Sequence, residues 1–132
     1  MTAPTRPSAS LCLVRNGADG IEVLMAQRTH TARFMPGAWV FPGGVVDESD
    51  WSPVAAAALD GVTAEADLGW LAAAVRETVE ETGIWLASPP FVVAADGRLQ
   101  GDAIYEKAAA GAEFQVAGLE YFANWITPAD LP

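Results

Sequence analysis

Residues Ala72 to Ile84 constrain this chain more than any other stretch. They read Ala-Ala-Ala-Val-Arg-Glu-Thr-Val-Glu-Glu-Thr-Gly-Ile. Leu68, Leu71, Ala72, Val75 and Val79 recur at i, i+3, i+4, i+7 and i+11, which predicts a helix with one apolar face. Gly83 is placed to end it with a left-handed C-terminal cap. The opposite face is costly. Glu77, Glu80 and Glu81 stand at i, i+3 and i+4, so three carboxylates project from one patch. Like charges at that spacing repel by about 0.2–0.5 kcal/mol per pair. They also sit in the last two turns, where the helix dipole favours cations, at a further cost of about 0.3–1 kcal/mol. Arg76 relieves only part of this. Clustered hard oxygens are what Mg²⁺ or Mn²⁺ binds. A solvated acidic face is the plainer reading of Glu-Glu alone, because charge clusters usually lie at the surface. The wider pattern Arg-Glu-x-x-Glu-Glu-x-Gly weighs toward the metal.

The rest of the chain has to supply that patch with a fold. Residues 1–7 read as a loose end. Ser8 to Arg15 and Ile21 to Arg28 are strand candidates joined by the turn residues Asn16-Gly17-Ala18-Asp19-Gly20, and so form a hairpin. After a loop with a Pro36-Gly37 turn, Ala38 to Phe41 is a short strand that delivers Pro42-Gly43-Gly44. Glycines there let the backbone approach a ligand, and a carbonyl can face a metal. Pro53 to Leu59 reads as a short helix with Ser52 as cap and Pro53 in first position. The main helix begins near Thr63 or Asp67. Beyond Gly83, Ile84 to Leu86 runs on, Phe91 to Ala95 is a weak strand, Asp102 to Ala110 a helix ended by Gly111, and Leu119 to Ile126 a strand. With 132 residues this is one α/β domain.

Composition narrows the function. Apolar residues make up 52%, so the chain folds rather than remaining disordered. A net charge of −10 argues against nucleic acid and anionic membranes as partners. An anionic substrate would need a metal and locally placed arginines. The lone Cys12 excludes an internal disulfide, fits a reducing compartment and, lying in an apolar run, is expected to be buried. The chain shows neither a leader pattern nor an apolar run near 18 residues, which makes the cytoplasm the expected location.

With Gly44 opening it and Arg76, Glu77, Glu80, Glu81, Gly83 and Ile84 closing it, the pattern resembles the signature of the Nudix hydrolases, Gly-x5-Glu-x7-Arg-Glu-U-x-Glu-Glu-x-Gly-U with U apolar. There are three departures. Asp50 stands where the signature has glutamate, and Thr78 replaces an apolar residue. Between Asp50 and Arg76 lie 25 residues, 18 more than in the compact signature, so residues 51–70 read as an insertion. The resemblance implies a Nudix α/β/α sandwich around a mixed β-sheet. Family members usually continue past the strand at 119–126, so the fold is expected to be incomplete at the C-terminus. An exposed sheet edge, covered by a second copy in a homodimer, is expected with it.

A narrower likeness lies upstream. From Arg28 to Gly44 the chain is similar to the extra signature of coenzyme A diphosphatases, with Arg28, Arg33, Gly37 and Phe41 in register and Thr29 replacing Ser or Ala. The stretched loop and the Trp-Ile-Thr-Pro segment look like the peroxisomal-type branch and its bacterial relatives. The resemblance implies cleavage of coenzyme A or acyl-CoA to 3′,5′-ADP and (acyl-)4′-phosphopantetheine. Mg²⁺ or Mn²⁺ would be held by Glu77 and Glu81, with Glu80 and the Gly44 carbonyl assisting. Either Glu77 or Glu80 serves as base. Arg28, Arg33, Phe41 and Gly43 are the expected substrate contacts, and Arg76 with Asp50 an expected structural pair. Guanidinium groups suit phosphate, and Trp39 and Phe41 offer faces for adenine or for the core. Two alternatives stand beside this: a related substrate such as NADH or ADP-ribose, and a non-catalytic ligand-binding fragment.

Overall fold

The computed structural model describes residues 4–128. The N-terminal half is built from short strands. β1 (Ser8–Ser10) leads to a hairpin of β2 (Val14–Gly17) and β3 (Gly20–Val23), closed at the expected turn. β4 (Ala26–Gln27) pairs antiparallel with β5 (Trp39–Val40), and β6 (Gly43–Val45) returns to pair antiparallel with β1. The register sets Ala9 opposite Gly44 and Ser10 opposite Gly43. A 3-10 turn, Glu48–Trp51, then carries Asp50 inward.

The span between Asp50 and the main helix is packed into the fold, with Ala55, Ala58 and Leu59 buried. Ser52 accepts the Ala55 amide at 3.1 Å and Pro53 opens α1 (Pro53–Ala58), as its capping chemistry predicts. β7 (Leu59–Asp60) follows and pairs in parallel with β10 (Phe114–Gln115), a long-range pairing no local pattern announces. Between them run α2 (Leu68–Thr82), β8 (Ile84–Trp85), β9 (Phe91–Val92) and α3 (Asp102–Ala109). Antiparallel and parallel pairings thus both occur, in five two-stranded ribbons among the described residues.

The core lies where α1, α2 and α3 meet. Ala55, Ala58, Ala72 and Ala108 are fully buried, and their small side chains let the helices approach closely. Val75 and Val79 of α2 and Ile104 and Tyr105 of α3 belong to the same buried cluster. Trp85 stacks between Phe91 and Phe114, ring centres 5.5 and 4.9 Å away, and its indole N–H donates to the Ala112 carbonyl at 2.8 Å. Among the described residues no helix is long and apolar enough to cross a membrane.

Two expectations are corrected. Leu119 to Ile126 is not a strand. The segment has no regular secondary structure and no strand partner among the described residues, and Trp125 is 80% exposed. A strand exists only by pairing, and no neighbouring chain lies beside this segment among the described residues. Cys12 is exposed, while its neighbour Leu11 is the buried residue of this connection between β1 and β2.

Candidate active site

Helix α2 ends as its sequence predicts. Gly83 has φ 76°, and its N–H returns to the Val79 carbonyl at 2.8 Å. A cation does arrive at this C-terminus, from a residue the sequence did not single out. Arg98 donates to the carbonyls of Thr82 at 3.0 Å and Glu81 at 3.3 Å, satisfying helix-end acceptors and answering the dipole. Only a basic residue some 16 positions downstream marks it, and no spacing rule reaches that far.

The three glutamates of α2 separate into two groups. Glu77 lies against the glycine corner: a methyl group on Gly44 would overlap the Glu77 carboxylate. Glu81, one turn on, accepts the Gly43 amide at 3.4 Å. Glu80 turns elsewhere, taking the Gly101 amide at 2.8 Å and facing Arg76 at 3.4 Å. The ridge and the corner therefore meet, 33 positions apart in sequence between Gly44 and Glu77, because β6 packs on α2.

Arg76 organises the buried side of the cluster. Its Nε and Nη2 donate to the two oxygens of Asp50 at 2.8 and 3.0 Å, a bidentate fork. Nη2 also donates to the Val45 carbonyl at 3.0 Å, and Nη1 to Glu77 at 2.9 Å. Asp50 is fully buried, and it also accepts from the Asp47 amide at 2.8 Å and the Tyr105 hydroxyl. The shorter acid is no handicap: from its 3-10 turn Asp50 reaches the guanidinium directly. Thr78 is accommodated too, its buried hydroxyl donating to the Ala74 carbonyl at 2.8 Å one turn back.

The charges follow from these contacts. Burial would raise the Asp50 carboxyl, but Arg76, Tyr105 and the Asp47 amide together hold it below its ordinary value. Burial would lower Arg76, and Asp50 and Glu77 more than reverse this. Tyr105 is pushed up by burial and then by the neighbouring Asp50 charge. Glu77 and Glu81 are both raised, first by burial and further by the acids beside them, despite Arg76 near one and the Gly43 amide on the other.

Of the other expected site residues, Arg28 braces the loop by donating from Nε to the Phe34 carbonyl at 2.9 Å, and its charge reaches Glu81. Arg33 is exposed on that loop. Trp39 on β5 and Phe41 just after it are exposed where the chain enters the glycine corner, so neither belongs to the core.

Among the described residues no group of three or more His, Cys, Asp or Glu is gathered as a ready metal cage. Glu80 is engaged by both Arg76 and the Gly101 amide, and Glu77 by Arg76 on one side of its carboxylate. The remaining donor set still suits a hard divalent cation: two carboxylates one turn apart, crowded against a glycine that leaves no room for a side chain.

A model of the NUDIX domain family matches residues 4–58, a span that includes the glycine corner and ends in α1, before the acidic helix. The putative nudix hydrolase 7 of Caenorhabditis elegans is 40% identical over 86 residues, 64% of this chain and 23% of that protein. The crystal structure of a NUDIX hydrolase from Alicyclobacillus acidocaldarius superposes with a TM-score of 0.56 at 36% identity, covering 82% of this chain and 50% of that one. The chain thus spans about a quarter of the curated relative and half of the solved structure.

Proposed function

From the Nudix domain family, which all three comparisons support, we propose that this domain hydrolyses the pyrophosphate of a nucleoside diphosphate derivative. Its preferred substrate is coenzyme A or acyl-CoA. The observation that carries this reading is the meeting of Glu77 and Glu81 with Gly43 and Gly44. Glu77, Glu81 and the Gly44 carbonyl are the groups that would hold the cation, with Glu80 assisting once released from its present partners. A Mg²⁺ or Mn²⁺ ion held by these residues would supply charge neutralisation for the phosphates and acidify a water.

The chain's own residues do the rest. Glu77 or Glu80 takes the proton from the attacking water. A new P–O bond forms at one phosphorus, and the bridging P–O bond breaks with the other phosphate as leaving group. Arg28 and Arg33 are the substrate contacts on the loop before the glycines, since guanidinium groups suit bidentate contact with phosphate. Phe41 and Gly43 border the same corner, one offering an aromatic face and the other a backbone that a substrate can approach. Arg76 and Asp50 hold β6 against α2 and touch no substrate. The products are 3′,5′-ADP and (acyl-)4′-phosphopantetheine. The reading includes a cytoplasmic location and a second copy covering the open strand edge.

Turnover of coenzyme A, NADH and ADP-ribose with saturating Mn²⁺ tests the substrate. Coenzyme A is expected to give the highest kcat/KM; a preference for either alternative moves the substrate and keeps the chemistry. Glu81→Gln is expected to lower kcat by about 10²-fold or more, since a metal-donating carboxylate supplies several kcal/mol of charge stabilisation. Retained turnover in that variant removes Glu81 from the site. Mn²⁺ binding without any hydrolysis would favour a ligand-binding domain instead.

A further inference from the structure

Helix α3 lies outside the sequence pattern that carries the acids, yet it touches the charge cluster at two points. The Gly101 amide, just before its first turn, donates to Glu80 Oε1 at 2.8 Å. One turn on, Tyr105 donates its hydroxyl to Asp50 Oδ1, the oxygen that also accepts Arg76 Nε. Tyr105 is fully buried and belongs to the core shared with α1 and α2. A ring fixed this firmly fixes its hydroxyl as well. No buried side-chain nitrogen or oxygen among the described residues lacks a partner, so the network is closed.

The geometry gives each link a direction. The Asp50 carboxylate is held on three sides: by Tyr105, by the Asp47 amide and by the Arg76 fork. A bidentate fork makes the guanidinium coplanar with the carboxylate it grips. The plane of Asp50 therefore sets the plane of Arg76, and with it where Nη1 stands between Glu77 and Glu80. Nη1 holds Glu77 Oε1 at 2.9 Å, so a guanidinium freed from that plane would let the Glu77 carboxylate turn away from the glycine corner and from Glu81. Gly101 holds the other glutamate, drawing Glu80 away from Glu77.

Resting on the function proposed above, we propose that Tyr105 is a positioning residue of the hydrolytic site: its hydroxyl orients Asp50, Asp50 orients Arg76, and Arg76 Nη1 in turn holds the Glu77 carboxylate against the glycine corner, near Glu81. Tyr105 reaches neither substrate nor metal. It acts through two intervening side chains, and α3 becomes part of the site's framework.

Tyr105→Phe removes one oxygen and keeps the ring, so the fold is retained; circular dichroism checks this. Mn²⁺ affinity, read by electron paramagnetic resonance without substrate, is expected to fall about ten-fold, at the lower end of what loss of an outer hydrogen-bond partner does to a metal site. The Arg76 Nε–H signal in ¹⁵N NMR of the metal-free chain is expected to shift and to exchange faster. Ile104→Val, a neighbouring core change on α3, is the packing control; it lowers Tm and leaves both readouts unchanged. An unshifted Arg76 signal, or an unchanged Mn²⁺ constant in Tyr105→Phe, overturns the proposal. The underlying function fails differently: a wild-type chain that binds no Mn²⁺ removes the metal reading, while the Arg76 signal still decides whether Tyr105 sets the guanidinium.

Discussion

The face where α1, α2 and α3 meet and the face carried by the β2–β3 hairpin are built from similarly apolar sequence, and they end in opposite conditions. On the helical face Trp85, Tyr105 and Phe114 are fully buried, and even a charged pair, Asp50 with Arg76, is taken inside. On the hairpin face Ile21 is 74% exposed and Trp39 61% exposed, and Trp39 lines a groove of about 440 Å³ together with Val23, Met25 and Ile84. The difference is one of closure rather than composition. Three segments converge on the helical side and satisfy one another, whereas the hairpin pairs only with itself. Polar groups can be buried where every donor finds an acceptor, while apolar groups stay wet where no second layer lies over them.

The largest effect expected from this contrast comes from breaking the buried pair. Arg76→Met leaves Asp50 buried without its partner and should cost about 3–5 kcal/mol in urea unfolding. A loss under 1 kcal/mol would mean that the pair is solvated and that the closed face is not closed.

A smaller effect tests the rim between the two faces. A carboxyl whose folded-state pKa is raised, as at Glu81, contributes most stability below its unfolded value and loses it as pH rises through the folded one. Glu81→Gln should therefore be more stable than the parent at neutral pH, by roughly a degree or two in Tm. The gap should shut as pH falls below the ordinary carboxylate range. A gap that widens toward acid would reverse the assignment. Smallest of all, Ile21→Thr on the hairpin should change stability by less than about 0.5 kcal/mol. A loss well above that would show that something covers the open face in solution.

Legibility follows the same division. Helix α2, its Gly83 cap, the Ser52 cap and the hairpin turn were readable because each is a contact between near neighbours. The Asp50–Arg76 pair was readable only through the resemblance, since 25 residues separate the two. Arg98, Gly101 and Tyr105 were missed: each acts across a distance in sequence at which no periodicity survives. Glu80 shows the limit most clearly. Spacing puts it on the ridge with Glu77 and Glu81, but a backbone amide from another helix decides which way it turns. Leu119 to Ile126 shows the converse, a strand-like pattern with nothing to pair against.

The ion pair between Asp50 and Arg76 also changes what the long span between them means. The chain leaves Asp50, makes α1 and β7, and comes back to within 2.8 Å of its starting point. In space that excursion is a ring closed by a clasp. Enlarging such a ring from seven residues to 25 adds only about 1 kcal/mol of closure entropy, and nothing beyond the clasp has to shift. The separation between Gly44 and Glu77 is thus insulated from the length of chain that joins them, so relatives can lengthen or trim this detour while leaving the working distance as it is.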